Sequence, residues 1–132
     1  MIWRYDFDAR DGSIANRRVF VDKADGPGVP DGLAVDAEGN VWSARWGAGA
    51  VICYDPSGRQ RVRLEVPAPH SSSCCFGGDR LEVLYITSAR YGLESPGELD
   101  GALFACQCPA GVRGQEPYLF APGPGEARGG QR

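Results

Sequence analysis

Apolar residues along this chain come in short runs, and where polar residues break into them they do so at alternate positions. The run Arg61-Val62-Arg63-Leu64-Glu65-Val66 alternates without exception, the period of two that puts one face of a strand in a core and the other in water, as expected of an outer strand. A sustained period of 3.6 occurs nowhere. Strands are predicted over residues 2–8, 17–22, 33–35, 41–44, 50–55, 61–66, 73–76, 81–88, 101–106 and 117–120. Between them lie Asp11-Gly12, Pro30-Asp31-Gly32, the Asp36 to Asn40 pentapeptide, Gly47-Ala48-Gly49, Asp55-Pro56-Ser57-Gly58 and Gly77-Gly78. These residue types supply positive φ, a preset φ or a side chain that bonds its own backbone, so each stretch reads as a tight turn. The pattern predicts an all-β chain of antiparallel meanders.

The pattern also repeats. Leu33-Ala34-Val35 answers to Cys74-Cys75-Phe76, 41 residues on, and Val41-Trp42 to Leu84-Tyr85, 43 residues on. Ile52-Cys53-Tyr54-Asp55 echoes Ile2-Trp3-Arg4-Tyr5-Asp6 behind it and Leu103-Phe104-Ala105-Cys106 ahead. A spacing of ~40–45 residues with four strands per unit is the blade period of a β-propeller. Residues 1–28 read as the end of one blade, 29–70 as a full blade and 71–120 as a final one, about two and a half in all. Residues 121–132 (A-P-G-P-G-E-A-R-G-G-Q-R) carry almost nothing to bury and are expected to be a disordered tail. Propellers close at ~4–8 blades, so this much alone leaves the ring open.

Composition narrows the classes of partner. The net charge is -3, with acids and bases interspersed; there is no basic stripe, so no nucleic-acid partner is expected. No apolar run reaches the ~20 residues of a membrane helix, so no membrane partner is expected. The first residues lack the charged-then-apolar pattern of a signal peptide, which points to a cytoplasmic location. Five cysteines are an awkward number for a disulfide framework, and His70 is the only histidine to complete a zinc site. Buried or half-buried free thiols are the expectation. Cys74 and Cys75, adjacent in a strand, should point to opposite faces; Cys106 and Cys108 could share one.

Asp31 is the carboxylate of most interest. Taken alone, Pro30-Asp31-Gly32 is a turn tripeptide, but a turn on the innermost strand of a propeller points such a side chain into the channel, where a hard divalent cation wants oxygen ligands. Asp36, Glu38 and Asn40 resemble half of a calcium loop without its 12-residue spacing or terminal Glu, and read as a hairpin turn. His70 reads as a solvated loop residue. Ser71 to Ser73 lack the Gly-x-Ser-x-Gly context of a hydrolase nucleophile. Ser88 and Arg90 end a strand and are candidate substrate contacts. Trp42 and Trp46 read as blade packing rather than as a sugar platform.

Together, P-D-G-L-A-V-D-A-E-G-N-V-W at 30–42 and G-A-V-I-C-Y-D-P-S-G at 49–58, followed by S-S-C-C-F-G-G at 72–78, L-Y-I-T-S-A-R at 84–90, G-A-L-F-A at 101–105 and G-V-R-G at 111–114, resemble the C-terminal part of the gluconolactonase family. That family includes regucalcin (senescence marker protein) and luciferin-regenerating enzyme. The resemblance implies an incomplete six-bladed β-propeller and the hydrolysis of sugar lactones. It also implies one divalent metal, commonly calcium or zinc, at the mouth of the channel. The family's ligands are a Glu, two Asn and the Asp of the P-D-G turn. Only the last has a counterpart here, so Asp31 is the implied metal ligand and candidate base, and the other ligands would have to be supplied upstream of Met1. A second expectation belongs to a different class: a non-catalytic propeller piece that self-associates or is completed by a complementing propeller half.

Overall fold

The computed structural model describes residues 1–22 and 26–117. Nine strands follow one another: β1 (Ile2–Asp8), β2 (Ser13–Val21), β3 (Val29–Val35), β4 (Val41–Trp46), β5 (Ala50–Tyr54), β6 (Gln60–Glu65), β7 (Ser71–Gly77), β8 (Val83–Ser88) and β9 (Leu103–Gln107). Among the described residues there is no helix, and so none long and apolar enough to cross a membrane. The strands make three antiparallel sheets in chain order, β1-β2, β3-β4-β5-β6 and β7-β8-β9. Each strand pairs with its sequence neighbour because the connections within a sheet are short and turn-forming, apart from residues 89–102 between β8 and β9.

The middle sheet is covered on both faces, and period two decides which residue goes where. Trp42, Ala44, Val51 and Cys53 pack with Cys74, Leu84 and Ile86 of the third sheet. On the opposite face Ile52 and Tyr54 meet Ile2 and Val21 of the first. All five residues of β5 are therefore buried, which is why Ala50-Val51-Ile52-Cys53-Tyr54 reads as an unbroken apolar run. The Trp42 ring meets Phe76 edge-on, with centroids 5.9 Å apart at 88°. Fully buried side chains of this size contribute about 1.5–3 kcal/mol each. At the sheet edge, β6 keeps Arg61 exposed and turns Leu64 inward, as its alternation predicts, but Val62, on the same side as Leu64 by that alternation, stays 36% exposed.

The structure departs from the sequence reading in several places, and β2 starts at Ser13, four residues before the predicted strand. Pro30-Asp31-Gly32 is not a turn between strands but part of β3. Pairing continues on both sides, Pro30 opposite Arg45 and Leu33 opposite Ser43, so Asp31 and Gly32 together face only Ala44. That two-for-one count is a β-bulge. β7 has its own irregularity at Ser72 and starts at Ser71, two residues early, because its serines pair through the backbone and give no apolar signal. The repeat is also shifted by one residue. Ala34 faces Trp42, which faces Cys53; Phe76 faces Leu84, which faces Cys106. The inner hairpins therefore align Trp42 with Leu84, 42 residues apart, and not with Tyr85. A one-residue slip would have exchanged the buried and exposed faces. The strand expected at 117–120 falls outside the described residues apart from Pro117, which is in no strand, and the tail at 121–132 lies outside them entirely.

The five cysteines are free. Cys74 is buried and Cys75 exposed, on opposite faces as alternation requires. Cys75 thus departs from the expectation of buried or half-buried thiols; it lies on the face of the third sheet turned away from the middle one. Burial pushes the Cys53 and Cys74 thiols up to about 12, which keeps them protonated and unreactive.

Asp55 organises the turn after β5. Its Oδ1 accepts hydrogen bonds from the Ser57 hydroxyl at 2.5 Å and from the backbone N–H groups of Ser57 (2.9 Å) and Arg59 (3.1 Å). These donors, the Ser57 hydroxyl first, hold its carboxyl down at about 2. An unfolded aspartate titrates near ~3.9. The ionised group therefore favours the fold above that pH, and the contribution is lost as pH falls through about 4 toward 2. In Asp55→Asn, urea midpoints are expected to change less between pH 4 and pH 2 than in the wild type. Parallel pH curves for the two proteins would contradict this.

Candidate functional site

The middle and third sheets meet along their inner strands, β3 and β7. At the Asp31 bulge they nearly touch. A Cβ on Gly32 would lie 2.2 Å from Ser73 Oγ and 2.6 Å from Ser73 Cα, so only glycine fits. The two strands run side by side in the same sense: Trp46 bridges to His70, Gly32 abuts Ser73, and Trp42 meets Phe76. The beginnings of β3 and β7 and the ends of β4 and β8 consequently gather at one end of the sheets, which we call the mouth.

Asp31 is exposed there, and among the described residues nothing hydrogen-bonds or ion-pairs with its carboxylate. The approach to it is held by Arg45, the β4 partner of Pro30. Arg45 is fully buried, and its Nε donates to Pro27 O (3.4 Å), its Nη2 to Gly26 O (3.4 Å) and Gly28 O (3.3 Å), and its Nη1 to Tyr54 Oη (3.5 Å). A guanidinium taken out of water needs such acceptors; in meeting that need it wraps residues 26–28 around itself and sets the entry into the Asp31 bulge. Nothing in the sequence marks this role, because an arginine in a strand reads as a solvent-facing position.

Ser88 and Arg90 stand at the same end. The Ser88 hydroxyl donates to Ala102 O (2.9 Å) and accepts from Gly101 N–H (3.0 Å), closing the base of the 89–102 loop. Arg90 is exposed, its aliphatic stem against Gly101. His70 differs from the solvated loop residue its surroundings suggest. Its ring stacks on Trp46, with centroids 4.2 Å apart and planes at 16°, and its Nδ1 donates to Tyr91 O at 3.0 Å. Its own carbonyl accepts the Ala89 N–H at 2.9 Å. Trp42 is blade packing, as read; Trp46 is half-buried and covered on one face by His70. A cleft of about 700 Å³ lies at the far end between residues 79–82 and 111–116, away from the carboxylate.

A divalent cation takes six or more oxygens when it is calcium and four ligands when it is zinc. Among the described residues no three His, Cys, Asp or Glu side chains come together to hold one. Asp31 supplies a single carboxylate, so these residues by themselves do not fit a complete metal centre.

Stacked antiparallel meanders with adjoining inner strands, one of them carrying an exposed carboxylate on a bulge, define a β-propeller type of protein. More particularly, the chain belongs to the SMP-30/gluconolactonase/LRE-like family, whose model matches residues 1–90. It is 41% identical over 111 residues to the pentonolactonase XacC of Haloferax volcanii, covering 78% of this chain and 38% of that protein. It is 36% identical over 122 residues to human regucalcin, covering 89% of this chain and 40% of that one. Among solved structures, the calcium-binding protein regucalcin from Agrobacterium tumefaciens superposes with a TM-score of 0.82 at 35% identity, over 90% of this chain and 41% of that one. The chain thus spans about two fifths of the length of the relatives it matches.

Proposed function

We propose that this chain forms part of a six-bladed propeller that hydrolyses a sugar lactone, with Asp31 as the general base. The observation that carries the reading is an exposed, unpaired carboxylate on the inner-strand bulge of a chain in a lactonase family. In this reading the Asp31 carboxylate accepts a proton from water as the water oxygen attacks the lactone carbonyl carbon. The ring C–O bond then breaks, and the ring oxygen leaves as a hydroxyl carrying that proton, giving an open-chain hydroxy acid. Arg90 is proposed to contact substrate, and Ser88 to shape the loop that carries Arg90. The calcium-binding relative supports a divalent metal as cofactor; Asp31 would be one ligand, and the remaining oxygens would come from residues outside those described.

Asp31→Asn is expected to lower lactone opening, followed by acid release, at least ~100-fold. The unfolding midpoint should stay unchanged, because the side chain bonds to nothing that Asn would disturb. Retention of full activity would remove Asp31 from this role.

A second reading, a non-catalytic piece completed by another copy or a separate half, has its own observation. Trp3, Leu33 and Val35, each more than 40% exposed, line an apolar groove with Ile2, Phe20 and Val41 between the first two sheets. Apolar surface of this kind and the open edge of β1 favour association. The intact mass of the native product separates the two readings. A species near the ~240–270 residues of six blades supports the enzyme; a species of 132 residues that elutes as a dimer supports the second.

A further inference from the structure

The one histidine of the chain is held in a way that a loop residue does not require. Its Nδ1 lies 3.0 Å from Tyr91 O. A carbonyl oxygen only accepts, so Nδ1 carries a hydrogen. In the neutral ring that leaves Nε2 as a bare acceptor, the tautomer being set by the partner of the other nitrogen. The ring cannot turn freely: one face lies on Trp46, the backbone bridges to Trp46, and the residue's own carbonyl is held by Ala89 N–H. His70 is nonetheless only half-buried, and among the described residues no donor reaches Nε2.

Its position gives that acceptor a use. Ser73 abuts Gly32, so Asp31 lies level with Ser72 on the neighbouring inner strand. His70 bridges to Trp46, two residues along β4 from the Ala44 that faces Asp31, so its backbone lies roughly 7 Å nearer the mouth. A backbone offset of that size is within the length of a sugar acid. Since His70 covers one face of Trp46, the pair offers less a stacking platform than a fixed nitrogen lone pair backed by an aromatic ring.

We propose that His70 is a substrate-binding residue whose Nε2 accepts a hydrogen bond from a hydroxyl of a polyhydroxylated ligand seated beside Asp31. This rests on the lactonase reading for the identity of the ligand, but not for the state of the ring. An acceptor already fixed in place loses little entropy on binding, which is where it gains over a mobile side chain.

The test uses the 132-residue chain, labelled with ¹⁵N. With a single histidine, the long-range ¹H–¹⁵N spectrum holds one set of imidazole signals. Recorded at alkaline pH, it should show a protonated Nδ1 and an unprotonated Nε2; the opposite tautomer overturns the proposal. D-Glucitol and D-gluconate, which cannot be hydrolysed as lactones, are then titrated in. The Nε2 resonance is expected to move upfield together with the Gly32 amide. Movement of Gly32 without Nε2 overturns the proposal alone, and movement of neither overturns it together with the sugar-binding part of the lactonase reading. Movement of both in a protein that opens no lactone would leave this proposal standing and sink the catalytic one. His70→Ala should weaken polyol binding roughly 3- to 10-fold, the range of one hydrogen bond. His70→Gln, which keeps an acceptor near the Nε2 position, should recover part of that loss. Equal losses in the two variants would reduce His70 to a loop clamp and count against the proposal.

Discussion

Replacing Asp36 with alanine is expected to remove about 3–5 kcal/mol of stability, since hydrogen bonds to a charged group contribute about 1.5–3 kcal/mol each, a large share of a domain's total of ~5–15 kcal/mol. Asp36 is 1% exposed. Its Oδ1 accepts from Glu38 N–H (3.0 Å) and Asn40 N–H (2.9 Å), and its Oδ2 from Asn40 Nδ2 (2.9 Å) and Trp42 Nε1 (3.0 Å). Its backbone does as much: the carbonyl accepts from Gly39 N–H (3.0 Å) and from Gln115 Nε2 (2.8 Å). One residue thus folds the β3–β4 turn, satisfies the indole of the largest core side chain and ties in the segment after β9. Alanine would leave the buried Trp42 N–H without an acceptor, at about 1–3 kcal/mol for that group alone, and would release the turn besides. Asp36→Asn keeps the shape but points an amide N–H₂ at one pair of donors, so it should fall between wild type and alanine. Urea unfolding measures both. A loss below ~1 kcal/mol for Asp36→Ala would mean that water replaces the carboxylate, contrary to its burial.

Gly32→Ala should have the next largest effect, about 3 kcal/mol, the upper end for overpacking. The new Cβ would sit 2.2 Å from Ser73 Oγ, 2.5 Å from Ser73 Cβ and 2.6 Å from Ser73 Cα. A hydroxyl could swing aside, but the Cα belongs to the backbone of β7, so β3 and β7 must separate. That contact joins the middle and third sheets, and their shared core of Trp42, Cys74, Leu84 and Ile86 would open with it. Ser73→Gly should cost only ~0.5–1 kcal/mol by itself, the cost of a glycine inside a strand, because the Ser73 side chain is exposed. Combined with Gly32→Ala it should recover part of the loss by removing Oγ and Cβ while the Cα clash remains. A double-mutant cycle is expected to give a coupling of at least ~1 kcal/mol. Strict additivity would show that the sheets are not locked at this point. The same variant displaces the bulge that presents Asp31, so lactone opening, where present, should fall with it.

The landmarks around Asp31 single it out in the sequence as a candidate, but they do not show its setting. Pro-Asp-Gly is turn chemistry in any local window. It becomes a bulge only because Arg45 and Ser43 continue the pairing on either side, and register is a property of two strands. The one-residue slip in the repeat has the same origin. Side-chain similarity aligned Trp42 with Tyr85, both large aromatics. Pairing aligns it with Leu84, since both must face the shared core. Asp36 was read correctly as a hairpin turn, yet its indole and Gln115 partners lie too far along the chain for a turn motif to announce them. His70 was the clearest miss: Trp46, Tyr91 and Ala89 come from three different parts of the chain, and no local pattern joins them.

Local pattern was enough for the all-β class and for the approximate position of most strands. Alternation at period two and Gly-, Asp- and Asn-rich turns act over a few residues, so β5, for example, was read to within a residue, and the landmark order was enough to point to the family. Tertiary structure alone decided which face of each strand is core, how Arg45 and Asp36 came to be buried polar hubs, and why Gly32 admits no side chain. Those outcomes depend on sheets meeting face to face, and the energy of that meeting lies in contacts between residues far apart along the chain.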